Sequence, residues 1–247
     1  IMNEENIINY YNKFNEDKRL LRRHGIVEYK TAMKYILEYL KFFKDPKILD
    51  VGAGTGRYAI CLHKLGYDVT ALELVKHNLM TLRKNCSEFP SFQGTALDLS
   101  RFKDNSFDIV ILFGPMYHLI SDSDKIKALS EVKRILKSGG LVFISYYMNE
   151  YAIIKHGFME RKIKDSIKSN LIDSSFHVTP KYDDLYSMVR LEDINRYKDI
   201  LSLKRVKIIA QDGLTDYIRK NINDLDEEEF DLYLKYHLSI CERPEIL

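Results

Sequence analysis

The sequence is poor in cysteine and has no long apolar run. Its 3 cysteines, Cys61, Cys86 and Cys241, are far apart and show no CxxC spacing, so neither a disulfide framework nor a zinc site is predicted. The longest purely apolar stretch runs from Ile109 to Phe113, far short of the roughly 18 residues that span a bilayer. The N-terminal residues are polar and show no signal-peptide pattern, so we expect a cytoplasmic protein with no membrane partner.

The charge is also nearly balanced. With 38 basic and 36 acidic side chains the formal net charge is +2, which argues against nucleic acid as a partner. Hydrophobic residues make up 45% and charged residues 30% of the chain, an ordinary globular composition. The 7 histidines include no pair at metal-ligand spacing on one helix face, so no metal is predicted.

Apolar periodicity predicts short strands that alternate with helices. The strands are predicted at 47–51, 68–74, 91–97, 107–113, 141–147 and 203–210. Helices are predicted between them, and Gly139-Gly140 is expected to close the helix at 123–137. This alternation indicates an α/β fold, a doubly wound and mostly parallel sheet with helices on both faces.

A glycine-rich segment follows the first predicted strand. Residues 48–57 read ILDVGAGTGR, and glycines let the backbone turn tightly and let a ligand approach closely. The dinucleotide fingerprint GxGxxG needs a glycine where Arg57 stands. The spacing is GxGxG instead, which disfavours an NAD(P)-binding oxidoreductase and leaves it as an alternative.

Acidic residues stand at or just after the ends of the next two predicted strands. Glu73 closes the second strand, where a carboxylate can accept hydrogen bonds from the hydroxyls of a ribose. Asp98 follows the third strand, where it can accept from the exocyclic amine of an adenine while Leu99 packs on the ring. An exposed surface glutamate and a loop-capping aspartate are the structural alternatives.

These segments together resemble the class I S-adenosylmethionine-dependent methyltransferases, most of all the small-molecule members of type 11. The resemblance is carried by ILDVGAGTGRYA, VTALEL, GTALDLSRF, FDIVILFGPMYHL and ALSEVKRILKSGGLVFISYY, roughly residues 45–147. It implies a Rossmann-like methyltransferase core with S-adenosyl-L-methionine as the cofactor and S-adenosyl-L-homocysteine as its product. It says little about the methyl acceptor.

The resemblance also implies roles for individual residues. The methionine part of the cofactor would be held by Asp50, Gly52, Ala53, Gly54, Thr55 and Gly56. The nucleoside would be bound by Glu73 at the ribose, Leu74 beside the adenine, and Asp98 with Leu99 at the adenine edge. Phe113 and Gly114 would face the methionine moiety and the acceptor.

Candidates for catalysis are few. His118 and Tyr117 lie in GPMYHL just past the fourth strand, where a histidine can act as a general base and a tyrosine can orient the acceptor. Structural packing is the alternative for both. In-line methyl transfer needs little acid–base help, because the main requirement is collinear placement of nucleophile, methyl and sulfur.

Two N-terminal segments are expected to cover the cofactor. A helical pattern places three rings on one face, Tyr10, Tyr11 and Phe14, and rings near a sulfonium are favourable by cation–π contact. Core packing is the alternative. The stretch RRHG, with Arg23 and His24, resembles a segment ahead of the core in some bacterial members and is expected to cover the carboxylate end of the cofactor.

We predict a single methyltransferase domain over residues 1–247. Its parts are an N-terminal helical cap 1–44, a cofactor-binding core 45–147, a helical insertion 148–200 over the acceptor, and a last strand with a C-terminal helix 201–247. No seventh strand is recognisable after Ala210, although the class usually has one. We therefore expect a chain that lacks this strand, and a homodimer, because a bare sheet edge invites pairing.

The expected function is methylation of a small-molecule acceptor. FGPMYH stands where amino-group methyltransferases of nucleic acids or proteins carry a tetrad such as NPPY. An RNA or protein methyltransferase remains an alternative through the basic residues of 155–168. A cofactor-binding protein without catalysis is the alternative from another class.

Overall fold

The computed structural model of the chain describes residues 4–13 and 22–246. These residues fall into two compact units, one with residues 4–13 and 45–203 and the other with residues 22–44 and 204–246. Phe14, one of the three rings predicted to share a helix face, lies outside the described residues. The single domain over 1–247 stays a prediction.

Helices and strands are numbered in order along the described residues of both units. The helices are α1 (Glu4–Lys13), α2 (Arg23–Leu40), α3 (Arg57–Lys64), α4 (Lys76–Asn85), α5 (Pro115–His118), α6 (Asp122–Ile135), α7 (Asn149–Ala152), α8 (Ile163–Lys168), α9 (Leu191–Ile200), α10 (Arg219–Asp224) and α11 (Glu227–Ile240). The strands are β1 (Lys47–Val51), β2 (Asp68–Glu73), β3 (Ser91–Gln93), β4 (Phe107–Leu112), β5 (Leu136–Ile144), β6 (Tyr147–Met148) and β7 (Met188–Val189). A π-helix follows α7 at Ile153–Met159, and a 3-10 turn lies at Gly213–Thr215.

The first unit contains a parallel five-stranded sheet in the order β3-β2-β1-β4-β5. Its central strands are apolar because both faces are covered: Ile48, Leu49, Ile109 and Val110 are fully buried. Chain order reverses beside β1, which lies between β2 and β4. Doubly wound sheets bind ligands at such a switch point, outside the carboxyl ends of the strands. The predicted doubly wound, mostly parallel α/β fold is confirmed.

The predicted sixth strand at 203–210 is wrong. Residues 204–210 have no regular secondary structure, and Val206 is 60% exposed. The segment reads KRVKIIA, and residues 204–207 are all exposed, whereas a strand inside a parallel sheet is buried on both faces. Strands β6 and β7 pair with each other as a small separate sheet, and no strand of the described chain follows Val189. β5 is an edge of the described sheet, and an edge strand can pair with another chain. Pairing between two copies is not shown, so the homodimer stays a prediction.

The helix before β5 ends earlier than predicted. α6 stops at Ile135 and β5 begins at once, so Gly139-Gly140 lies within the strand segment and does not cap the helix. The pairing of β5 with β4 is irregular between Phe107 and Ile109. Gly139 has a φ of +78°, a conformation that glycine adopts without strain. The glycine pair therefore lies in the irregular first part of β5 and does not cap a helix.

The second unit is helical. Its core contains Val27 of α2, Ile222 of α10, and Phe230 with Leu234 of α11. α11 begins with a capping box, in which the Asp226 side chain accepts from the Glu229 N–H and the Glu229 side chain accepts from the Asp226 N–H. Within the described ranges, none of the helices combines the length and the apolar character that crossing a membrane requires.

An arginine of α6 fixes the loop that follows β3. The strand stops at Gln93, short of its predicted end. Arg134 donates at 2.9 Å to the backbone carbonyls of Leu99 and Phe102 and to the Glu131 carboxylate, which accepts from the Leu99 N–H at 2.7 Å. This network positions the loop at the carboxyl edge of the sheet.

Arg134→Met is expected to lower the free energy of unfolding by roughly 1–3 kcal/mol, because the two loop carbonyls lose their donor. Chemical denaturation measures the change. The control is Lys127→Met on the exposed side of α6, with an expected change within about 0.5 kcal/mol. Equal losses in the two variants would contradict a specific role of Arg134.

Candidate functional site

The glycine loop turns back over β2 at the carboxyl end of β1. The backbone N–H groups of Gly52 and Ala53 donate to the Leu72 carbonyl at 2.8 and 3.1 Å, and the N–H of Gly56 donates to the Ala53 carbonyl at 2.9 Å. The N–H of Ile60 then donates to the Gly56 carbonyl at 2.7 Å, so α3 begins directly after the loop. The predicted loop residues, with half-buried Thr55 among them, therefore form one compact turn.

The three glycines of the loop serve two purposes. Gly52, Gly54 and Gly56 all have positive φ, at +77°, +57° and +92°. A Cβ on Gly52 would lie 2.8 Å from Cδ of Pro115, and one on Gly56 would lie 2.7 Å from Cγ of Leu82, whereas a Cβ on Gly54 would meet nothing within 4 Å. The outer two glycines allow close packing, and the middle one borders open space.

We expect Gly56→Ala to destabilise the protein more than Gly54→Ala. Both variants lose about 1–2 kcal/mol from left-handed backbone, but only Gly56→Ala adds a clash in the core, typically another ~1–3 kcal/mol. Parallel denaturant titrations give the comparison, with Gly54→Ala as the matched control. If both variants lost the same stability, the packing role of Gly56 would be refuted.

Glu73 is buried and accepts a hydrogen bond from the glycine loop. Only 4% of the residue is exposed. Its carboxylate accepts from the N–H of Gly54 at 2.7 Å and of Val75 at 2.8 Å, and from the Asn78 side chain. Burial nonetheless raises its pKa. Because a carboxylate has about four acceptor positions, one remains for a ligand hydroxyl. The alternative of an exposed surface glutamate is excluded.

Asp50 is a second buried carboxyl group near Glu73. It is 2% exposed, and its Oδ2 has no hydrogen-bond partner among the described residues. Burial and the charge of Glu73 raise the pKa of Asp50 to about 7, opposed by a backbone hydrogen bond from Ala59. Two buried carboxyl groups are costly to ionise together. A ligand that brings positive charge or hydroxyl donors would offset that cost.

Asp50→Asn is expected to remove a pH-dependent loss of stability. The pKa of Asp50 rises from 3.8 to about 7, so folding keeps a proton that the unfolded chain releases. The loss of folding stability that this proton causes is absent below about pH 4 and grows as the pH rises to 7. Above that pH it amounts to at most about 4 kcal/mol. Denaturation at about pH 5 and about pH 8 should therefore show a smaller decline in the variant than in the wild type.

The control for this experiment is Asp98→Asn, which removes an exposed carboxylate whose pKa is lowered by its bonds to Ser100. Since that carboxylate is ionised at both pH values, its loss should leave the decline unchanged. Parallel pH profiles of Asp50→Asn and the wild type would contradict the burial of an ionisable Asp50.

The predicted adenine side lies in the loop fixed by Arg134. Asp98 is exposed and accepts from the N–H of Ser100 at 3.0 Å, which is the loop-capping geometry. Leu99 is fully buried in the core, and Leu74 is half-buried. The roles of these residues toward an adenine stay predictions.

The turn after β4 faces the glycine loop through Pro115, which packs on Gly52. Gly114 has a φ of +109°, and a Cβ there would lie 3.6 Å from the Tyr117 hydroxyl. The half-buried Phe113 ring packs edge-on against Tyr58, with ring centres 5.1 Å apart. Phe113, Gly114 and Tyr117 therefore lie close to the glycine loop, and their roles toward a cofactor and an acceptor stay predictions.

His118 is buried with both ring nitrogens engaged. Its Nδ1 lies 2.9 Å from the Leu185 carbonyl, and its Nε2 lies 2.9 Å from the Tyr11 hydroxyl. A carbonyl only accepts, so we assign the proton to Nδ1, and Nε2 accepts from Tyr11. Burial lowers the pKa of His118 to about 4. This geometry favours the structural alternative over the predicted general base.

Aromatic rings surround His118 just beyond the ends of β4 and β5. This tyrosine cluster consists of Tyr10, Tyr11, Tyr117, Tyr147 and Tyr186. Tyr117 and Tyr147 are stacked with ring centres 4.4 Å apart, and Tyr186 stacks on His118 at 5.1 Å. Tyr10 contacts Tyr11 edge-on at 5.1 Å. Of the three N-terminal rings predicted to cover the cofactor, Tyr10 and Tyr11 lie within the described residues, and Tyr11 contacts His118 directly.

Sequence reasoning missed two residues of this region. Asn78 donates a hydrogen bond to Glu73. In the sequence its only signal is its place in the first turn of the helix that follows Glu73. The sequence pattern places Tyr147 in the fifth strand, but β5 ends at Ile144. The position of Tyr147 in the cluster follows from where the strand ends, and periodicity locates strand ends poorly.

Arg23 and His24 belong to the second unit and have partners there. His24 Nδ1 lies 3.1 Å from the Asn223 side-chain oxygen, and the Arg23 guanidinium donates to the Asn223 carbonyl at 3.3 Å. Arg23 also lies over the Phe230 ring at 5.5 Å. Their predicted role at the cofactor carboxylate stays a prediction.

Known proteins match the part of the chain that carries this site. A family model described as a methyltransferase domain matches residues 49–144. The demethylmenaquinone methyltransferase of Staphylococcus carnosus is 34% identical over 121 residues, which are 46% of this chain and 48% of that protein. The chain thus spans about half the length of this curated relative.

Solved structures share the fold at low sequence identity. A SAM-dependent methyltransferase from Methanosarcina mazei superposes with a TM-score of 0.53 at 16% identity, covering 70% of this chain and 84% of its own. A protein from Pyrococcus horikoshii gives a TM-score of 0.55 at 19% identity, covering 78% and 88%. The regions that superpose on these structures cover most of this chain and not the five-stranded sheet alone.

Proposed function

We propose that this chain, whose parallel-sheet core belongs to the class I S-adenosylmethionine-dependent methyltransferases, binds S-adenosylmethionine and methylates a small molecule. The observation that carries the proposal is the buried Glu73 carboxylate, which accepts from the Gly54 N–H at 2.7 Å beside the open space at Gly54. A ligand can approach the backbone there and still reach an acidic acceptor for its ribose.

The charges of the site fit this cofactor better than a dinucleotide. Asp50 and Glu73 are both buried, and burial raises the pKa of each. A ligand with a sulfonium and an ammonium group stabilises ionised carboxylates nearby, whereas a pyrophosphate adds negative charge and raises their cost further. The alternative, an NAD(P)-binding oxidoreductase, is disfavoured by these two buried carboxyl groups as well as by Arg57.

When bound, S-adenosylmethionine would supply a methyl group for in-line transfer to an acceptor atom, with the electron pair of the broken carbon–sulfur bond remaining on sulfur. The residues of the chain bind and orient. Glu73 and the glycine loop fix one end of the site, and the turn at Gly114 leads to the tyrosine cluster. Holding the reactants in line supplies most of the rate enhancement.

We place the acceptor at the tyrosine cluster. Tyr117 reaches Gly114 with its hydroxyl, and Tyr147 is 36% exposed, so a small organic molecule has both a ring face and a hydroxyl to contact. His118 stays neutral and engaged with Tyr11 and Leu185, so it removes no proton from the acceptor. The attacking atom must therefore carry an available lone pair or lose its proton to water.

We also propose a cytoplasmic location. Cys61, Cys86 and Cys241 are all free thiols, which fits a reducing compartment. The balanced net charge of +2 supports a small-molecule acceptor over an RNA. Neither point identifies the acceptor, which must be found by screening.

Calorimetry should show that S-adenosylhomocysteine binds and that NAD does not. Glu73→Ala is expected to weaken S-adenosylhomocysteine binding by more than about tenfold, because a charge-assisted hydrogen bond worth ~1.5–3 kcal/mol is lost and the loop loses its support. Asp68→Ala, at the exposed opposite end of β2, is the matched control and should bind normally.

Unchanged affinity in Glu73→Ala, or tight binding of NAD, would overturn the proposal. Turnover with a panel of thiol, amine, phenol and carboxylate acceptors then separates an enzyme from a silent cofactor-binding protein. Activity on RNA or on protein substrates alone would replace the small-molecule acceptor by the alternative.

A further inference from the structure

Three metal-ligating side chains converge at the end of α3 that lies opposite the glycine loop. His63 is in the last turn of α3, Cys86 follows α4 as its C-cap, and Glu88 comes two residues later. Their ligand atoms all lie within 4.8 Å of one another, and Nε2 of His63 is 3.2 Å from a carboxylate oxygen of Glu88. Ligands around one tetrahedral Zn²⁺ are separated by roughly 3.5 Å, as its bond lengths require.

The local backbone explains why the two later ligands share a side. Cys86 is extended, with φ −160° and ψ 121°, and the chain bends at Glu88, so that the ligand atoms of both residues lie near His63. Phe89 is 6% exposed and anchors the segment in the core. The His63 ring packs on Phe89 with centres 5.2 Å apart, which holds the imidazole beside Glu88.

The electrostatics of this place favour a cation. α3 ends one residue after His63, and α4 ends one residue before Cys86. The carboxyl end of a helix carries partial negative charge, so two helix ends meeting at one point attract positive charge. The Glu88 carboxylate adds a full negative charge there.

We infer that His63, Cys86 and Glu88 form a binding site for Zn²⁺, with a fourth position left for water. An imidazole, a thiolate and a carboxylate are the ligand types that zinc takes, whereas magnesium and calcium prefer oxygen ligands alone. On binding, the Cys86 thiol releases its proton to solvent and its sulfur bonds the metal. The bound ion joins the end of α3 to the segment that leads into β3.

Histidine spacing along one helix face predicts no metal, because that pattern detects only ligands that share one helix. The three residues come from two segments that only the packing of α3 beside α4 and β3 brings together. The inference is independent of the proposed function, because none of these residues belongs to the glycine loop or the tyrosine cluster.

The test is a titration of the metal-free full chain with Co²⁺, followed by displacement with Zn²⁺. We expect a thiolate-to-cobalt charge-transfer band in the near ultraviolet, together with the visible bands of tetrahedral Co²⁺, and their loss when Zn²⁺ is added. Cys86→Ser should abolish the charge-transfer band. Both Cys86→Ser and His63→Gln should weaken Zn²⁺ binding by more than about tenfold, the scale of loss seen even for outer-sphere partners.

Matched controls separate this site from other thiols and imidazoles. Cys61→Ser, on the same helix as His63, and His77→Gln, on α4, should keep the band and the affinity. Far-UV circular dichroism verifies that each variant is folded, and His63→Gln tests the site with all three thiols intact. No band in the wild type, or a band that survives in Cys86→Ser and disappears in Cys61→Ser, would overturn the inference.

Discussion

The buried hydrogen bonds of Glu73 are the constraint on which the site depends. One carboxylate joins the glycine loop after β1, through Gly54, to the start of α4, through Val75. Burying a carboxylate is unfavourable unless donors replace its water, and here two backbone N–H groups and the amide of Asn78 do so. The loop is therefore held in place before any ligand binds.

Core packing fixes the rest of the site around this bond. Pro115 fills the space that a side chain at position 52 would need, and Leu82 does the same at position 56. The turn after β4 and the helix after β2 are thus pressed against the loop from two sides. Of the three loop glycines, only Gly54 borders open space, and that space lies beside the buried Glu73 carboxylate. Preorganisation of this kind reduces the entropy that a bound cofactor and acceptor must lose.

The same burial gives the site its electrostatic preference. Asp50 keeps one oxygen without a partner among the described residues, and its pKa is raised by burial and by Glu73. Such a pair disfavours phosphate ligands and favours cations. His118 has the opposite character, because burial lowers its pKa and both of its ring nitrogens are hydrogen-bonded. For the proposed methyl transfer, the expected contribution of the chain is therefore alignment of the reactants and not proton transfer by His118.

Local patterns predicted the sheet core and the glycine loop, because apolar strands and positive-φ glycines are signalled by adjacent residues. The apolar residues of 203–210 predict a strand, but the consecutive residues 204–207 are exposed. The bond between Tyr11 and His118 and the metal-ligand cluster could not be predicted, since each joins segments far apart in sequence. His118 illustrates the difference: its position beyond β4 was predicted, but its neutral state depends on burial by other segments.

The most direct test of this account is a crystal structure of the chain with S-adenosylhomocysteine. We predict the amino-acid end of the ligand over Gly54 and a ribose hydroxyl donating to Glu73. A ligand bound elsewhere, or a space at Gly54 closed by the protein's own side chains, would contradict the account.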